Sequence, residues 1–203
     1  MMKKNILAIA LLSFIFHATT CWSQDAKSVL DKCAAAVSAK EGVKASFVME
    51  SAQYGRAQGT ISVKGKMFHA STEVAALWFD GTTQWTYLNS NNEVSVTTPT
   101  EAQLQAINPY NFIHLYKSGF KYTMTTNNTS YNVHLTAEDA KRKIQEMFIT
   151  VDKKAYTPTD VKLRQGTKWT TFRISDFQKV SLADSEFRFN SKDYPTAEVI
   201  DLR

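Results

Sequence analysis

His69, His114, His134 and Cys33, with a scatter of acidic groups, are the side chains beyond residue 23 that could carry covalent, acid–base or metal chemistry. The histidines stand far apart, with no HExxH pair and no Cys/His spacing that would close a tetrahedral zinc site. No GxSxG elbow presents a nucleophile and no P-loop or GxGxxG turn cradles a phosphate; the glycines fall nearly all in turn sequences. His134, in YNVHL, alternates onto the polar side of a strand, and Asp80, in FDGTTQWTY, is first a turn former. Cys33 sits in VLDKCAAAV, the setting of a small buried residue rather than a reactive thiol. The residues therefore call for no catalytic group, no metal and no cofactor, and weight moves from enzyme to binding protein. An enzyme on the same scaffold would have to use polar groups at a cavity mouth, such as Tyr87, Glu50 and Arg56.

Those groups have to be held by a folded domain, and the chain of 203 residues is long enough for one with a real core. Its first stretch stands apart: MMKKN is basic, ILAIALLSFIF is an apolar run too short to span a bilayer, and HATTCWSQ is short and small-to-polar. This is the form of a secretory signal over 1–23, cut after Ser23, leaving Gln24 to Arg203 as one domain in the periplasm. Lipidation at Cys21 is the alternative, which would anchor the chain; Ala18, Thr19 and Thr20 depart from the usual residues before a lipidated cysteine. Loss of Lys3 and Lys4 with the signal leaves 22 basic against 19 acidic residues, a mild excess spread along the chain that does not call for nucleic acid. Cys33 is then the single remaining cysteine, so no internal disulfide forms.

From Asp25 to about Lys40, Val29, Leu30, Cys33, Ala34 and Val37 recur at helical spacing, and Glu41-Gly42 stops the helix. Almost everything later alternates with period two, from Phe47 and Met49 to Phe187 and Phe189. Turn signals such as Tyr54-Gly55, Asp80-Gly81 and Gln165-Gly166 recur about every 8 to 12 residues. This spacing predicts a meandering antiparallel sheet of ten or eleven strands, one face apolar and one wet. A broken helical stretch is expected around Pro99 to Pro109 and onward, with Asn108 as a cap, and a charged helical turn over Ala137 to Lys143. The two overlapping sequons in Asn127-Asn128-Thr129-Ser130 are read as turn chemistry.

So many strands make more apolar surface than one long helix and a broken short one comfortably cover. Either the sheet curls and fills its interior with its own side chains, or it stays partly open with the helices as a lid over a lined cavity. Periodicity alone leaves both open.

The order of segments narrows this. An export signal, an amphipathic helix, ASFVMESAQYGRAQGTISVKGKMFHA and then LWFDGTTQWTYLNSNNEVSV resemble, in that order, the periplasmic outer-membrane lipoprotein carrier family, LolA. Its Gly-x-Leu/Ile-x-Val-Lys strand pair is followed by a DGxxxWxY hairpin, matched here by Asp80, Gly81, Trp85 and Tyr87. A helical stretch with a proline follows, around Pro109, and DFQKVSLADSEFRFNSKDYP is similar to the family's late segment. The resemblance implies a mainly β fold: a single curved antiparallel sheet forming an incomplete, half-open barrel, covered by an N-terminal helix and a short helical lid. One departure is clear. The carriers have Arg-Pro after the Val-Lys, the Arg latching the lid in the unloaded state, whereas this chain reads Val63-Lys64-Gly65-Lys66.

On that frame the expected cavity lining is Phe47, Met49, Ile61, Val63, Phe68, Trp85, Tyr87, Val94, Val96, Phe120, Tyr122, Met147 and Ile149. The expected lid is Leu104, Ile107, Tyr110, Phe112, Ile113 and Leu115, with Val29, Leu30 and Val37 of the first helix. For each residue taken singly, plain core packing explains it equally well. The resemblance implies lipoprotein acyl chains or lipids as ligand, an inner-membrane release complex and an outer-membrane acceptor as partners, and a monomer that ferries its cargo between membranes.

Overall fold

A computed structural model describes residues 25–53, 55–100 and 115–203. The expected signal segment with Cys21, the expected mature start at Gln24, and Leu104, Ile107, Asn108, Tyr110, Phe112, Ile113 and His114 lie outside the described residues.

The one α-helix among the described residues, α1 (Ala26–Val37), starts where expected: the Asp25 carboxylate caps it, accepting from the Ser28 N–H at 2.6 Å. Ala26, Val29, Leu30, Cys33, Ala34 and Val37 form its buried stripe. The strands are β1 (Val43–Ser51), β2 (Gly55–Lys64), β3 (Met67–Thr72), β4 (Ala75–Phe79), β5 (Gln84–Leu88) and β6 (Glu93–Thr97). They continue with β7 (Phe120–Thr126), β8 (Ser130–Ala137), β9 (Glu146–Asp152), β10 (Pro158–Gln165), β11 (Lys168–Lys179) and β12 (Glu198–Asp201). All twelve join one sheet in the order β12-β6-β5-β4-β3-β2-β1-β11-β10-β9-β8-β7, which is not closed into a barrel. The turns are those the sequence marks. Asp80 accepts from the N–H groups of Thr82 and Thr83, and Asn127 from those of Thr129 and Ser130.

Three expectations change. Ala137 to Lys143 is not helical: β8 runs to Ala137 and a non-helical turn follows. Phe187 and Phe189 do not form a strand. A short 3-10 turn, Asp184–Phe187, carries the first, and the alternation there reflects two rings seeking one apolar surface. The sheet also has twelve strands rather than ten or eleven, and its last, β12, supplied by the C-terminal residues, lies parallel beside β6.

The main core lies between α1 and the sheet. Val29, Leu30 and Val37 are fully buried in one cluster with Val43, Ile61, Val63, Phe68, Val133, Leu135, Met147 and Ile149. At about 1.5–3 kcal/mol for each such side chain removed from water, this contact holds the helix on the sheet. Burial also pushes the Cys33 thiol up to about 12, so it stays protonated at neutral pH and acts as packing. Among the described residues no helix is long and apolar enough to cross a membrane.

Candidate functional site

Cross-strand partners carry their side chains to the same side of a sheet, so the pairing register sorts every expected lining residue onto a face. Val63 opposes Phe68, which opposes Phe79; Ile61 opposes Ala45 and Ala70; Phe47 opposes Ile174 and Met49 opposes Phe172. Through β11, β10 and β9 the same face continues with Val161, Leu163, Met147 and Ile149, then Val133 and Leu135, and ends at β7 with Phe120 and Tyr122, which oppose Ala137 and Leu135. This is the face that α1 covers. Nine of the expected lining residues stand on it: Phe47, Met49, Ile61, Val63, Phe68, Phe120, Tyr122, Met147 and Ile149. Val29, Leu30 and Val37 pack on it from the helix, and Leu115 packs against the same core.

The remaining four do not. Trp85 opposes Trp78 and Val96, and Tyr87 opposes Ala76 and Val94; Trp78 in turn opposes His69, which opposes Ser62. Trp85, Tyr87, Val94 and Val96 therefore occupy the opposite, outer face. They belong to a second core there, built by the C-terminal segment. Leu182 and Phe187 are buried in it, and Tyr194 packs on Tyr87 at 4.5 Å and on Trp78 at 5.5 Å between ring centroids. Phe189 meets Trp78 at 5.6 Å, and His69 stacks on the same indole at 5.0 Å. Polar ties fix this strap: Tyr87 donates to Asn92 Oδ1 at 3.1 Å, Asn92 Nδ2 donates to the Thr196 carbonyl at 2.7 Å, and Arg188 pairs with Asp80 at 3.2 Å. Replacing the fully buried Phe187 by alanine should cost roughly 3–5 kcal/mol in urea unfolding. Trp85→Ala should likewise lower stability, and neither change should alter the affinity of the folded protein for an apolar ligand bound on the α1 side. A loss of affinity in either would place the ligand on the wrong face.

Glu50 and Arg56, considered as groups for chemistry, also stand outside, since they oppose each other one position off Met49 and Ala57. Glu50 is engaged by Arg173 at 2.9 Å, and that hydrogen bond holds its carboxyl below the ordinary range. His134 lies outside as its alternation indicated, 2.9 Å from Glu146 and stacked on Phe148 at 4.2 Å.

On the α1 side, Phe47, Met49, Leu163, Phe172 and Ile174 are only half-buried, in contrast to the fully covered Val133, Leu135 and Ile149. They form an apolar strip across β1, β11 and β10. Leu163, Phe172 and Ile174 were readable as strand alternation but not as neighbours of Phe47, because β1 pairs with a strand more than a hundred residues away.

Polar groups fasten α1 over this face. Tyr116, buried, donates to Asp31 Oδ1 at 2.6 Å, and Lys27 donates to Asp31 Oδ2 at 2.7 Å. Lys32 reaches Tyr156, 3.4 Å from its hydroxyl and 4.7 Å from the ring centroid. The hydrogen bond from Lys27 and then that from Tyr116 lower the Asp31 pKa, while burial and the Asp31 bond raise that of Tyr116. Of the two lysines here, Lys64, which matches the family's Val-Lys, donates to the Leu182 carbonyl at 2.7 Å and to Asp184 at 2.8 Å on the strap side, and Lys66, which falls where the carriers have Arg-Pro, is exposed in the turn. Tyr116→Phe should cost about 1–2 kcal/mol near neutral pH by removing a hydrogen bond to a charged acceptor. A carboxyl with a lowered folded pKa contributes stability above its unfolded value, near 3.8, that is lost as pH falls through the folded value. The gap between wild type and Tyr116→Phe should therefore shrink below about pH 4, which urea titrations across pH 3 to 7 would register.

The fold is thus an open sheet with α1 laid on its apolar side. A family model described as outer membrane lipoprotein carrier protein LolA matches residues 17–167, and the chain belongs to this family. The structure of an uncharacterized conserved protein from Thermus thermophilus is similar over 87% of this chain and 98% of its own, at 10% identity and a TM-score of 0.60. The crystal structure of MucB, a protein also seen in a Pseudomonas aeruginosa MucA/MucB complex, is similar over 88% of this chain and 66% of its own, with 13% identity and a TM-score of 0.50. A LolA superfamily protein from Nitrosomonas europaea covers 81% of this chain and 97% of its own, at 11% identity and a TM-score of 0.44. At these identities the likeness is one of fold. No curated protein matches the sequence.

Proposed function

We propose that residues 1–23 are an export signal and that residues 24–203 form a periplasmic carrier, which encloses lipoprotein acyl chains between α1 and the sheet and ferries them from the inner to the outer membrane. The observation that carries this reading is the half-buried strip of Phe47, Met49, Leu163, Phe172 and Ile174 on the face that α1 covers elsewhere. Acyl chains in water are disfavoured by about 0.8 kcal/mol per methylene, so such a strip supplies affinity without a covalent step. Release requires that this affinity be spread over many non-directional contacts under a movable cover. Lifting α1 as such a cover breaks the Asp31–Tyr116 and Lys32–Tyr156 ties together with its apolar contact with the sheet. An inner-membrane release complex and an outer-membrane acceptor are the partners this route needs, and a monomer suffices for the carrier.

A second reading, a binder of lipids or other hydrophobic ligands without a lipoprotein role, is favoured by the absence of the latch arginine, in whose place the chain has Gly65-Lys66, with Lys66 exposed in the turn. Incubating the mature chain with a triacylated lipoprotein and, separately, with phospholipid vesicles distinguishes the two. The carrier holds the lipoprotein in a soluble complex; capture of free lipid but never of the lipoprotein selects the second.

A further inference from the structure

At β5 and β6 the α1-side face changes character. Gln84 opposes Phe79 and Thr97, and Thr86 opposes Leu77 and Ser95, so the apolar face runs directly into a neutral strip of Gln84, Thr86, Ser95 and Thr97. Within it Gln84 is only 7% exposed. Its Nε2 donates to Thr86 Oγ1 at 3.2 Å, but its Oε1 is buried with no hydrogen-bond partner among the described residues.

A buried acceptor left without a donor is destabilising, and a leucine or methionine would fill a similar volume without that cost. Gln84 pairs across the strands with Phe79, whose ring centroid lies 5.5 Å from that of Phe68, at the border between apolar and hydroxyl-bearing surface. A ligand whose hydrocarbon lies against those rings would bring its first polar group to Gln84. We propose that Gln84 Oε1 is a polar anchor for the ligand, accepting a hydrogen bond from a neutral N–H or O–H donor next to an acyl chain, with Thr86, Ser95 and Thr97 completing the surface for the polar group. None of these four residues is charged. A cationic donor would find no carboxylate among them, and an anion would face the Oε1 lone pairs. The anchor sets orientation, which the apolar strip cannot do, because contacts with hydrocarbon are non-directional. The proposal rests on the acyl-chain reading and adds to it the class of polar group that is recognised.

Two probe pairs test it on the mature chain: an N-palmitoyl lipopeptide against its counterpart N-methylated at the acylated amide, and monopalmitoylglycerol against its di-O-acetyl derivative. A palmitate methyl ester serves as a donor-free control. The wild type should prefer the donor-bearing member of at least one pair by about five- to tenfold, the scale of one buried hydrogen bond. The pair that shows the preference identifies amide or hydroxyl as the source. Gln84→Leu and Gln84→Met should erase that preference, keep binding of the methyl ester, and leave the thermal midpoint unchanged or raised. Equal binding within both pairs by the wild type, or a preference that survives both substitutions, overturns the anchor while leaving the carrier reading intact. Failure of every probe to bind, the methyl ester included, overturns the acyl-chain reading and the anchor with it.

Discussion

Phe47→Asp is expected to lower the affinity of the mature chain for an acylated ligand at least tenfold while leaving a cooperatively folded protein. Phe47 lies at the centre of the half-buried strip, opposing Ile174 on one side and Gly59 on the other. Losing its contact with a ligand removes about 1.5–3 kcal/mol, and placing a carboxylate where an acyl chain must lie adds a desolvation penalty of further kcal/mol. Since each 1.4 kcal/mol is roughly a factor of ten, the combined effect exceeds one decade. The fold survives because Phe47 borders solvent rather than the fully closed part of the core around Leu30, Val133 and Leu135. Fluorescence titration with a palmitoylated probe measures this, with Trp85→Ala as the outer-face comparison. Undiminished affinity in Phe47→Asp would remove the strip from the binding site.

The second large effect falls on the fold. A Cβ built on Gly59 would sit 1.9 Å from the Ser71 carbonyl oxygen and 2.9 Å from its carbon, both backbone atoms of the neighbouring β3. No side-chain rotation relieves such a contact, so Gly59→Ala must push β2 and β3 apart where Gly59 pairs with Thr72. A cost of about 3 kcal/mol or more in urea unfolding is expected, near the upper end for a single substitution. Gly81 provides the contrast: its φ of +101° disfavours alanine, but no atom lies within 4 Å of its would-be Cβ. Gly81→Ala should therefore cost only about 1–2 kcal/mol, from backbone strain alone. Equal, small losses for both would show that β2 can move away from β3 at little cost.

The helix and most strands were legible because each has a local cause. α1 repeats its apolar residues at helical spacing behind Asp25, and the hairpin at Asp80-Gly81 announces its own turn. Which face a strand turns inward was not legible, because period two fixes two faces without naming them. The order Trp85-x-Tyr87 is equally compatible with the hollow and with the outside; only the register Trp78↔Trp85 and Trp78↔His69 decides. One local signal pointed the right way. Ala75-Ala76-Leu77-Trp78-Phe79 is apolar without alternation, which marks a strand covered on both sides and therefore requires a second cover beyond α1. That cover, from Leu182 to Tyr194, carries Phe187 and Phe189 with strand-like spacing but no partner strand. Its docking on β4 to β6 joins residues about a hundred positions apart, which no local pattern encodes. Gln84 was invisible for the same reason: its missing partner exists only once β4, β5 and β6 are assembled.

The most direct test of the account weighs the protein as the cell loads it. The mature chain, released gently from the periplasm of its own host and measured by native mass spectrometry, should carry added mass that corresponds to acylated cargo. That mass should be displaced by a palmitoylated competitor and should be lost in Phe47→Asp. A protein that shows only the mass of residues 24–203 under the same conditions, and that gains none when offered a triacylated lipoprotein or free lipid, would contradict the claim that the half-buried strip on the α1 side of the sheet is a site for acyl chains.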